Sequence, residues 1–390
     1  MNVKETAAKY ADYQIEMRRW FHRHPELSEN EKGTSDKIKE ELDKAGIPWR
    51  NCGSDGYGVL AEIKGTKPGK TMMIRGDMDA LSVHEETGLP FASENPGVMH
   101  ACGHDSHISM TLTAARILND MKDELCGTVK VAFQPAEEVA KGAKWMIEDG
   151  ALDGVDGCFT MHVWGGVPSG HFTCEPGPRM AGGNMFGITV TGKSGHGTAP
   201  EKCVDAVVAG SAIVQNLQTI VSRKLAPMDN AVVTVGTFQA GERWNVVAGS
   251  ARLEGTWRCF RRETRDKMPE LIDQIAKDTA KAYGATATTD EVVLIPPVIN
   301  DEHISAIVRN AGTEILGEGA AVKGDPVLGG EDFAYFMEKV PGAVLLLGIS
   351  NEKCNSTYIN HHNKFTVDED MLLKGAMIFA QTALDFNAGK

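Results

Sequence analysis

Several features of common protein classes are absent from this chain of 390 residues. Its eight cysteines are scattered and form no C-x-x-C pair, which argues against a disulfide scaffold. The net charge of −13 does not indicate the positively charged surface that binds nucleic acid or an anionic membrane. The longest apolar run, AVLLLG (343–348), is far too short to span a bilayer, and the first thirty residues lack the apolar core of a signal peptide. We therefore expect a cytoplasmic globular protein.

Familiar catalytic motifs are missing as well. Neither H-E-x-x-H nor G-x-S-x-G occurs, and Gly-rich runs such as GVPSG (166–170) lack the lysine of a phosphate loop. Cys102 and His104 could in principle form a nucleophile pair, but residues so close in sequence rarely meet in the required geometry. Hydrolysis through a serine or cysteine nucleophile is thus disfavoured.

The chain is too long for one hydrophobic core, so we expect two domains. Strands alternate with helices at both ends of the chain, which predicts an α/β domain with a mixed sheet over residues 1–182 and 294–390. Between them, residues 183–293 follow the order β-α-β-β-α-β of a ferredoxin-like α+β sheet. The smaller domain is therefore predicted to be inserted into the larger one.

The segment MHACGHDSH (99–107) concentrates one cysteine, three histidines and one aspartate in nine residues. A thiolate and an imidazole at Cys102 and His104 suit Zn²⁺ and related ions, and a tight loop can aim side chains at this spacing to one side. A buried inert cysteine followed by histidines at a helix start explains the segment equally well. Two ligands do not make a site, so further ligands must come from elsewhere.

Further candidates follow predicted strands of the larger domain. Glu137 and Glu138 come directly after the strand KVAFQ, His162 lies at the end of CFTMHVW, and His361 and His362 follow a polar loop near the C-terminus. Side chains at the carboxyl ends of strands collect at one edge of an open α/β sheet. Taken singly, the two acids fit a solvated helix start and His162 fits a core histidine.

Eight motifs, in order along nearly the whole chain, carry a resemblance to a known family. They are RRWFHRHPELS (18–28), RGDMDAL (75–81), MHACGHDSH (99–107), FQPAEE (133–138), MHVW (161–164), SGHGTAP (194–200), GGEDFAYF (329–336) and HHNKFTVDED (361–370). The chain resembles the M20 family of metal-dependent aminoacylases and carboxypeptidases, in its amidohydrolase branch. The resemblance implies an α/β mixed-sheet metallohydrolase catalytic domain with an inserted ferredoxin-like lid and dimerisation domain.

The resemblance also implies a centre of two divalent metal ions. Its ligands by motif are Cys102, His104, Glu138, His162 and His361. Cys102 stands where relatives often have a bridging aspartate, and Glu137 matches the general base. His361 is preferred over His362 because the ligand precedes an aromatic by four residues, although Asn363 replaces the usual proline there. The thiolate tilts the choice of metal toward Zn²⁺, with Mn²⁺, Co²⁺ or Ni²⁺ as alternatives.

Other residues are expected to act around the metals. Asp79 and Asp105 are candidates to orient ligand histidines, although each is equally explained as a turn or helix-capping aspartate. By resemblance, His196 would stabilise the tetrahedral oxyanion, while Asn245 and Arg258 would hold the substrate carboxylate. Surface positions are the competing explanation for His196 and Arg258.

These inferences predict a metal-dependent amidohydrolase. Its substrate would be a small N-acyl-amino acid, cleaved by a metal-activated water with Glu137 as base. Dipeptidase or carboxypeptidase activity is the close alternative, and an inactive metal- or redox-binding homologue is the distant one. The presence of Glu137 argues against the last, since storage or sensing would not need a base beside the metals. The resemblance further implies a homodimer formed through the inserted domain, with neither nucleic acid nor membrane as partner.

Overall fold

The computed structural model describes residues 2–390, with side chains described everywhere except at 291–294. The chain forms two compact units. The larger comprises the chain through Gly177 together with Ile299–Asp325 and Asp332–Lys390, and the smaller comprises Pro178–Val298 and Pro326–Glu331. The sequence predicted an insertion at 183–293 and left 326–331 in the larger domain. That short segment joins the smaller unit because Val327 exchanges backbone hydrogen bonds with residues 179–181, a pairing without a local sequence signal.

The helices and strands have the following bounds. The α-helices are α1 (Val3–Ala8), α2 (Ala11–Arg23), α3 (Lys32–Lys44), α4 (His104–Asp120), α5 (Gly142–Glu148), α6 (Ala206–Thr219), α7 (Arg262–Ala282), α8 (Glu302–Leu316), α9 (Ala334–Met337) and α10 (Leu372–Asn387). The strands are β1 (Trp49–Asn51), β2 (Val59–Lys64), β3 (Lys67–Asp77), β4 (Cys126–Gln134), β5 (Gly157–Pro168), β6 (Phe172–Thr173), β7 (Gly177–Met180), β8 (Gly182–Thr191), β9 (Gly195–His196), β10 (Ala231–Ala240), β11 (Val246–Val247), β12 (Ser250–Cys259), β13 (Thr286–Ile295), β14 (Val298–Asn300) and β15 (Gly342–Ser350).

The larger unit is built on a seven-stranded mixed sheet in the order β1-β2-β4-β3-β5-β15-β6. The four central strands are parallel, and the outer pairings are antiparallel. The apolar run of β15 is buried from Gly342 to Ile349, as expected of a strand covered on both faces. Helices α4 and α10 pack against β3 and bury a common hydrophobic core. The predicted mixed α/β sheet is confirmed.

The parallel strands bring candidate residues to one edge of this sheet. Asp77, the last residue of β3, is in register with Gln134, the last residue of β4. Arg75 is in register with Thr160 of β5, so His162 lies level with Asp77. Because the carboxyl ends of parallel strands share an edge, the loops that follow them are neighbours. The site described below lies at this edge.

The smaller unit contains a four-stranded antiparallel sheet in the order β10-β12-β8-β13. The chain runs β8, α6, β10, β12, α7, β13, which is the predicted ferredoxin-like order. Asp205 caps α6 by accepting hydrogen bonds from the backbone N–H groups of Val207 and Val208. The core between sheet and helices includes the fully buried Trp257. The ferredoxin-like class predicted for this unit is therefore confirmed.

Among the described residues, no helix combines the length and the apolar character needed to cross a membrane.

Candidate metal centre

The turn Cys102–Gly103–His104 directs two side chains into one buried pocket. Gly103 adopts φ 94°, a left-handed conformation that favours glycine, and α4 begins at the next residue. A Cβ at Gly103 would lie 2.4 Å from Cγ2 of Val163, so a larger residue would force a neighbour to shift. The apolar pattern of HISMTLTAARIL (107–118) predicts a helix that begins at His107, whereas α4 begins about one turn earlier, at the residue that follows the left-handed glycine.

His104 is oriented by the segment after β3. Its Nδ1–H donates to the backbone oxygen of Asp79 over 2.7 Å, and a carbonyl can only accept, so Nε2 carries the free lone pair. That Nε2 atom is fully buried and makes no hydrogen bond to any described residue. A buried imidazole nitrogen without a partner is costly unless something else binds it. This atom therefore fits a cation ligand.

The turn after β4 brings two adjacent carboxylates to the same pocket. Ala136 has φ 52°, an uncommon value for a residue with a side chain. Its N–H donates to Oε1 of Glu31 over 2.7 Å, and the N–H of Glu138 donates to Oδ2 of Asp79 over 3.0 Å. The turned backbone places Oε2 of Glu137 and Oε1 of Glu138 at 4.0 and 3.9 Å from Nε2 of His104.

His162 and His361 approach Cys102 from two other segments. Each Nε2 atom lies 3.3 Å from Sγ of Cys102. The Nδ1–H of His162 donates to the oxygen of Val163, which leaves its Nε2 lone pair facing the sulfur. Nε2 of His361 also lies 3.5 Å from Oε1 of Glu138.

His362 is placed differently from His361. Its ring stacks on Tyr358 at 4.4 Å, and its Nδ1 accepts a hydrogen bond from the N–H of Lys364. His361, in contrast, has φ 70° and donates its N–H to the oxygen of Ala101, which turns its side chain toward Cys102. The preference for His361 remains a prediction, and this placement supports it.

The five residues predicted as ligands thus come together and form two overlapping groups. Cys102 with His104 and His162 is one group, and Cys102 with Glu138 and His361 is the other; within each, the ligand atoms lie within 4.8 Å of one another. Thiolate, imidazole and carboxylate are the donors that Zn²⁺ and its neighbours accept. The residues present therefore fit a pair of cations with Cys102 common to both.

The electrostatics of the cluster also favour positive charge. Burial together with Glu138 and Glu137 raises the pKa of the Cys102 thiol well above its usual range. Burial opposes the charging of His104, but Asp77 and Asp79 outweigh it and raise its pKa to about 10. Burial likewise raises the pKa of the Glu138 carboxyl. A divalent cation would displace these protons, so its affinity would increase with pH.

Asp79 and Asp105, the two expected orienting aspartates, have different surroundings. Asp79 contacts His104 through its backbone oxygen and places Oδ1 3.3 Å from Nδ1 of the same ring. Asp105 instead contacts Nδ1 of His22 at 2.8 Å and Nε of Arg18 at 3.0 Å. Asp105 therefore orients a histidine outside the ligand set, a correction to the expectation, because the helix start at His104 turns its side chain toward α2.

Several residues of this region were not anticipated. Oδ1 of Asp77 lies 2.5 Å from Nδ1 of His107, and Nε2 of His107 accepts a hydrogen bond from the N–H of Val163. Asp77 also forms a buried ion pair with Arg75. The sequence does carry a signal for Asp77: it stands two positions before Asp79, where a strand ends.

The three remaining predicted residues belong to the smaller unit. His196 lies on β9 with an exposed ring whose Nδ1 hydrogen-bonds to Oγ1 of Thr198 over 2.8 Å. Asn245 is half-buried in the loop before β11. Arg258 on β12 is half-buried, and its Nη1 donates to neutral oxygens, including the carbonyl of Trp257 at 2.8 Å. Burial lowers the pKa of Arg258.

Comparisons with known proteins agree with this architecture. The chain is 40% identical over 370 residues to an N-acetylcysteine deacetylase of Bacillus subtilis, covering 95% of this chain and 96% of that protein. It is 37% identical over 388 residues to thermostable carboxypeptidase 1 of Saccharolobus solfataricus, covering 99% and 98%. A crystal structure of the Bacillus subtilis protein YXEP, described as a dinuclear metal binding peptidase from the M20 family, matches with a TM-score of 0.86 and 36% identity, covering 98% of this chain and all of that one.

The family model for Peptidase family M20/M25/M40 matches residues 73–385, which include all five residues of the metal cluster. With four-fifths of the chain covered by this model, the protein belongs to Peptidase family M20/M25/M40.

Proposed function

We propose that this protein is a hydrolase that cleaves the amide bond of N-acyl-amino acids and releases a carboxylic acid and a free amino acid. The observation that carries this proposal is the convergence of five candidate ligand side chains beside the carboxylate of Glu137. Membership of a peptidase family supports amide hydrolysis. The 40% identity to an N-acetylcysteine deacetylase supports an acylated amino acid as substrate.

Two divalent cations would be held by Cys102, His104, Glu138, His162 and His361. When bound, they would acidify a water and polarise the scissile carbonyl. The relative described as dinuclear supports the number of ions. The mixture of thiolate and imidazole suits Zn²⁺ best, and Mn²⁺, Co²⁺ and Ni²⁺ remain acceptable to the carboxylate and imidazole ligands.

Glu137 would act as the general base. Its side chain is about one-tenth exposed, and Oε2 lies 4.0 Å from Nε2 of His104 at the edge of the cluster. From there it would take a proton from the attacking water and deliver it to the nitrogen of the leaving amine. Asp79 would act by positioning, because it contacts both His104 and the N–H of Glu138.

Three residues of the smaller unit complete the proposal. We assign to His196 the stabilisation of the negative charge that develops on the carbonyl oxygen. We assign to Asn245 and Arg258 the binding of the substrate carboxylate. The half-buried guanidinium of Arg258 donates to neutral oxygens, which supports a role in pairing with an incoming anion.

A carboxypeptidase or dipeptidase is the second candidate. The 37% identity to thermostable carboxypeptidase 1 favours it. Both activities use the same centre and differ in the group acylating the amino acid. The placement of Glu137 beside the cluster disfavours an inactive metal- or redox-binding homologue, since storage does not require a base.

The proposal is tested by assaying the protein before and after chelation. The substrate panel would contain N-acetyl, N-benzoyl and long-chain acyl amino acids, with dipeptides as the competing class. We expect hydrolysis of acyl-amino acids that is lost with the metal and restored by Zn²⁺ or Mn²⁺. Undiminished hydrolysis by the chelated protein would contradict the metal mechanism, and faster hydrolysis of dipeptides would favour the second candidate.

Two further proposals concern the state of the protein in the cell. All eight cysteines are free thiols, which supports the reducing cytoplasm as its compartment.

Strand β10 is an edge strand of the smaller sheet, and its Val232 and Phe238 are 40% and 38% exposed. Val207 and Val208 of α6 are exposed as well. An apolar edge strand is a template for pairing, so we propose a homodimer formed through this unit.

A further inference from the structure

The side-chain amide of Asn360 bonds three main-chain groups on two segments of the metal cluster. Its Oδ1 accepts a hydrogen bond from the N–H of Gly165 over 3.1 Å. Its Nδ2 donates to the carbonyl oxygens of Cys102 and Val163 over 3.0 and 3.1 Å. Three of the four hydrogen bonds that a primary amide can make are therefore used within the protein.

Each bonded segment carries one side chain of the cluster. Cys102 supplies the sulfur itself, and Val163 and Gly165 follow His162 on β5. The oxygen of Val163 also accepts the Nδ1–H of His162 over 2.7 Å, the bond that turns Nε2 toward the sulfur. Asn360 therefore holds the carbonyl group that orients His162.

Asn360 also precedes His361, whose backbone is in an unfavourable conformation. His361 has φ 70°, in the left-handed region that disfavours a residue with a side chain. The hydrogen bond from the N–H of His361 to the oxygen of Ala101, at 2.8 Å, and the amide bonds of Asn360 hold this conformation. Loss of the amide would leave the backbone around His361 with fewer restraints.

We infer that Asn360 is a positioning residue that fixes Cys102, His162 and His361 relative to one another and thereby sets the geometry of cation binding. The inference rests on the proposed function in that the ligand of the cluster is a divalent cation. The competing explanation is a half-buried asparagine that supports the loop and has no effect on the cluster. Residues that hold metal ligands in place typically contribute 10–100-fold to affinity.

The test uses two substitutions and a matched control. Asn360→Leu keeps the size of the side chain and removes all three hydrogen bonds. Asn360→Asp keeps the acceptor for Gly165 but replaces the donors with oxygen and adds a negative charge. Asn363→Leu is the control: it lies in the same loop, and its side chain makes no hydrogen bond within the described part of the chain.

The measurements are calorimetric titration of the metal-stripped proteins with Co²⁺ and the absorption spectrum of the Co²⁺ forms. We expect Asn360→Leu to weaken Co²⁺ binding by about 10–100-fold and to change the visible bands, which report ligand geometry. Asn360→Asp should also bind more weakly than wild type, because two carbonyls would face a carboxylate. Asn363→Leu should match wild type in both readouts. Thermal unfolding of the metal-stripped proteins would separate these changes from a loss of folding.

Two results would overturn the inference. One is an Asn360→Leu variant with the affinity and spectrum of Asn363→Leu. The other is tighter binding by Asn360→Asp, since that would mean that charge near the cluster outweighs the donated hydrogen bonds. Neither readout uses a substrate, so failure of the protein to hydrolyse acyl-amino acids would refute the proposed function and leave this comparison intact.

Discussion

Two adjacent carboxylates face the same cluster but have different neighbours. Oε1 of Glu138 lies 3.5 Å from Nε2 of His361 and belongs to a ligand group with Cys102. Oε1 of Glu137 instead accepts a long hydrogen bond from the N–H of Asp332 at 3.5 Å. Because the turn at Ala136 directs both side chains into the cluster, Glu138 can act as a metal ligand while Glu137 acts as the base.

Substitution of each carboxylate separates the two roles. Glu137→Gln should retain both cations and lose about 10²–10⁴-fold in kcat, the usual contribution of an acid–base group. Glu138→Gln should lose one of the two cations, because it removes a ligand from the group shared with His361. Metal analysis of the purified variants and steady-state assays measure both effects. The reverse pattern, with metal lost from Glu137→Gln alone, would exchange the assignments.

Glu31 stabilises the turn at Ala136. It is fully buried, and its Oε1 accepts the N–H of Ala136. Burial and the charge of Asp79 raise the pKa of Glu31 to about 8. The folded protein therefore binds this proton more tightly than the unfolded chain does. The resulting stabilisation is complete below pH 4–5 and is lost as the pH rises through 8.

Glu31→Gln should remove this pH dependence, since glutamine stays neutral and can still accept the N–H of Ala136. Relative to the variant, wild type should lose a few kcal/mol of unfolding free energy between about pH 5 and pH 9. Urea unfolding of both metal-stripped proteins at several pH values measures the difference. A constant difference across that range would show that Glu31 has an ordinary pKa.

Among individual residues, the sequence predicted those that belong to linear motifs and missed those that act through distant backbone contacts. Cys102, Glu138, His162 and their companions are expected from the family resemblance, and the structure brings them together. Glu31 and Asn360 were not anticipated, because their roles depend on hydrogen bonds to backbone atoms 105 and 258 residues away. Contacts of this kind leave no local pattern in a single sequence.

Among the elements, the start of α4 matters most for the site. Gly103 reverses the chain so that Cys102 and His104 point into one pocket. The predicted strands KVAFQ and CFTMHVW follow from their sequence patterns, and the structure places them within β4 and β5. The missed helix start has a physical cause: periodicity registers the apolar face of α4, whereas its first turn is polar and is specified by the conformation of a glycine.

Gly103→Ala should therefore destabilise the protein more than an ordinary glycine substitution. The alanine Cβ would meet the buried, β-branched Val163 at 2.4 Å in addition to adopting φ 94°. We expect a loss of about 2–5 kcal/mol in the free energy of unfolding. Gly97→Ala is the matched control, with φ 82° and nothing within 4 Å of its Cβ, and should cost only about 1 kcal/mol. Equal losses in the two variants would mean that Val163 yields to the added methyl group.

At the scale of the whole molecule, length and the change in the order of elements predicted two units of different fold class. Both classes are confirmed, since the strand orders of the two sheets are those of a mixed α/β sheet and a ferredoxin-like sheet. The inclusion of 326–331 in the smaller unit was not predictable, because it depends on pairing with residues 179–181.

The proposed dimer is tested by placing a charge on the edge strand. Val232→Lys should convert the dimer to a monomer, since lysine on an edge strand opposes pairing with a second chain. Met228→Lys is the control, because Met228 is 80% exposed in the loop that precedes β10. Sedimentation velocity of the three proteins gives the masses. A wild-type monomer, or a Val232→Lys dimer, would contradict pairing through β10.

The central claim is that five side chains from four segments of the chain hold two cations beside Glu137. Crystals grown with Zn²⁺ and measured on both sides of the zinc absorption edge test it most directly. The account predicts two anomalous peaks per chain, one bounded by Cys102, His104 and His162 and the other by Cys102, Glu138 and His361. A map with no peak between these residues, or with zinc bound elsewhere and the cluster empty, would contradict it.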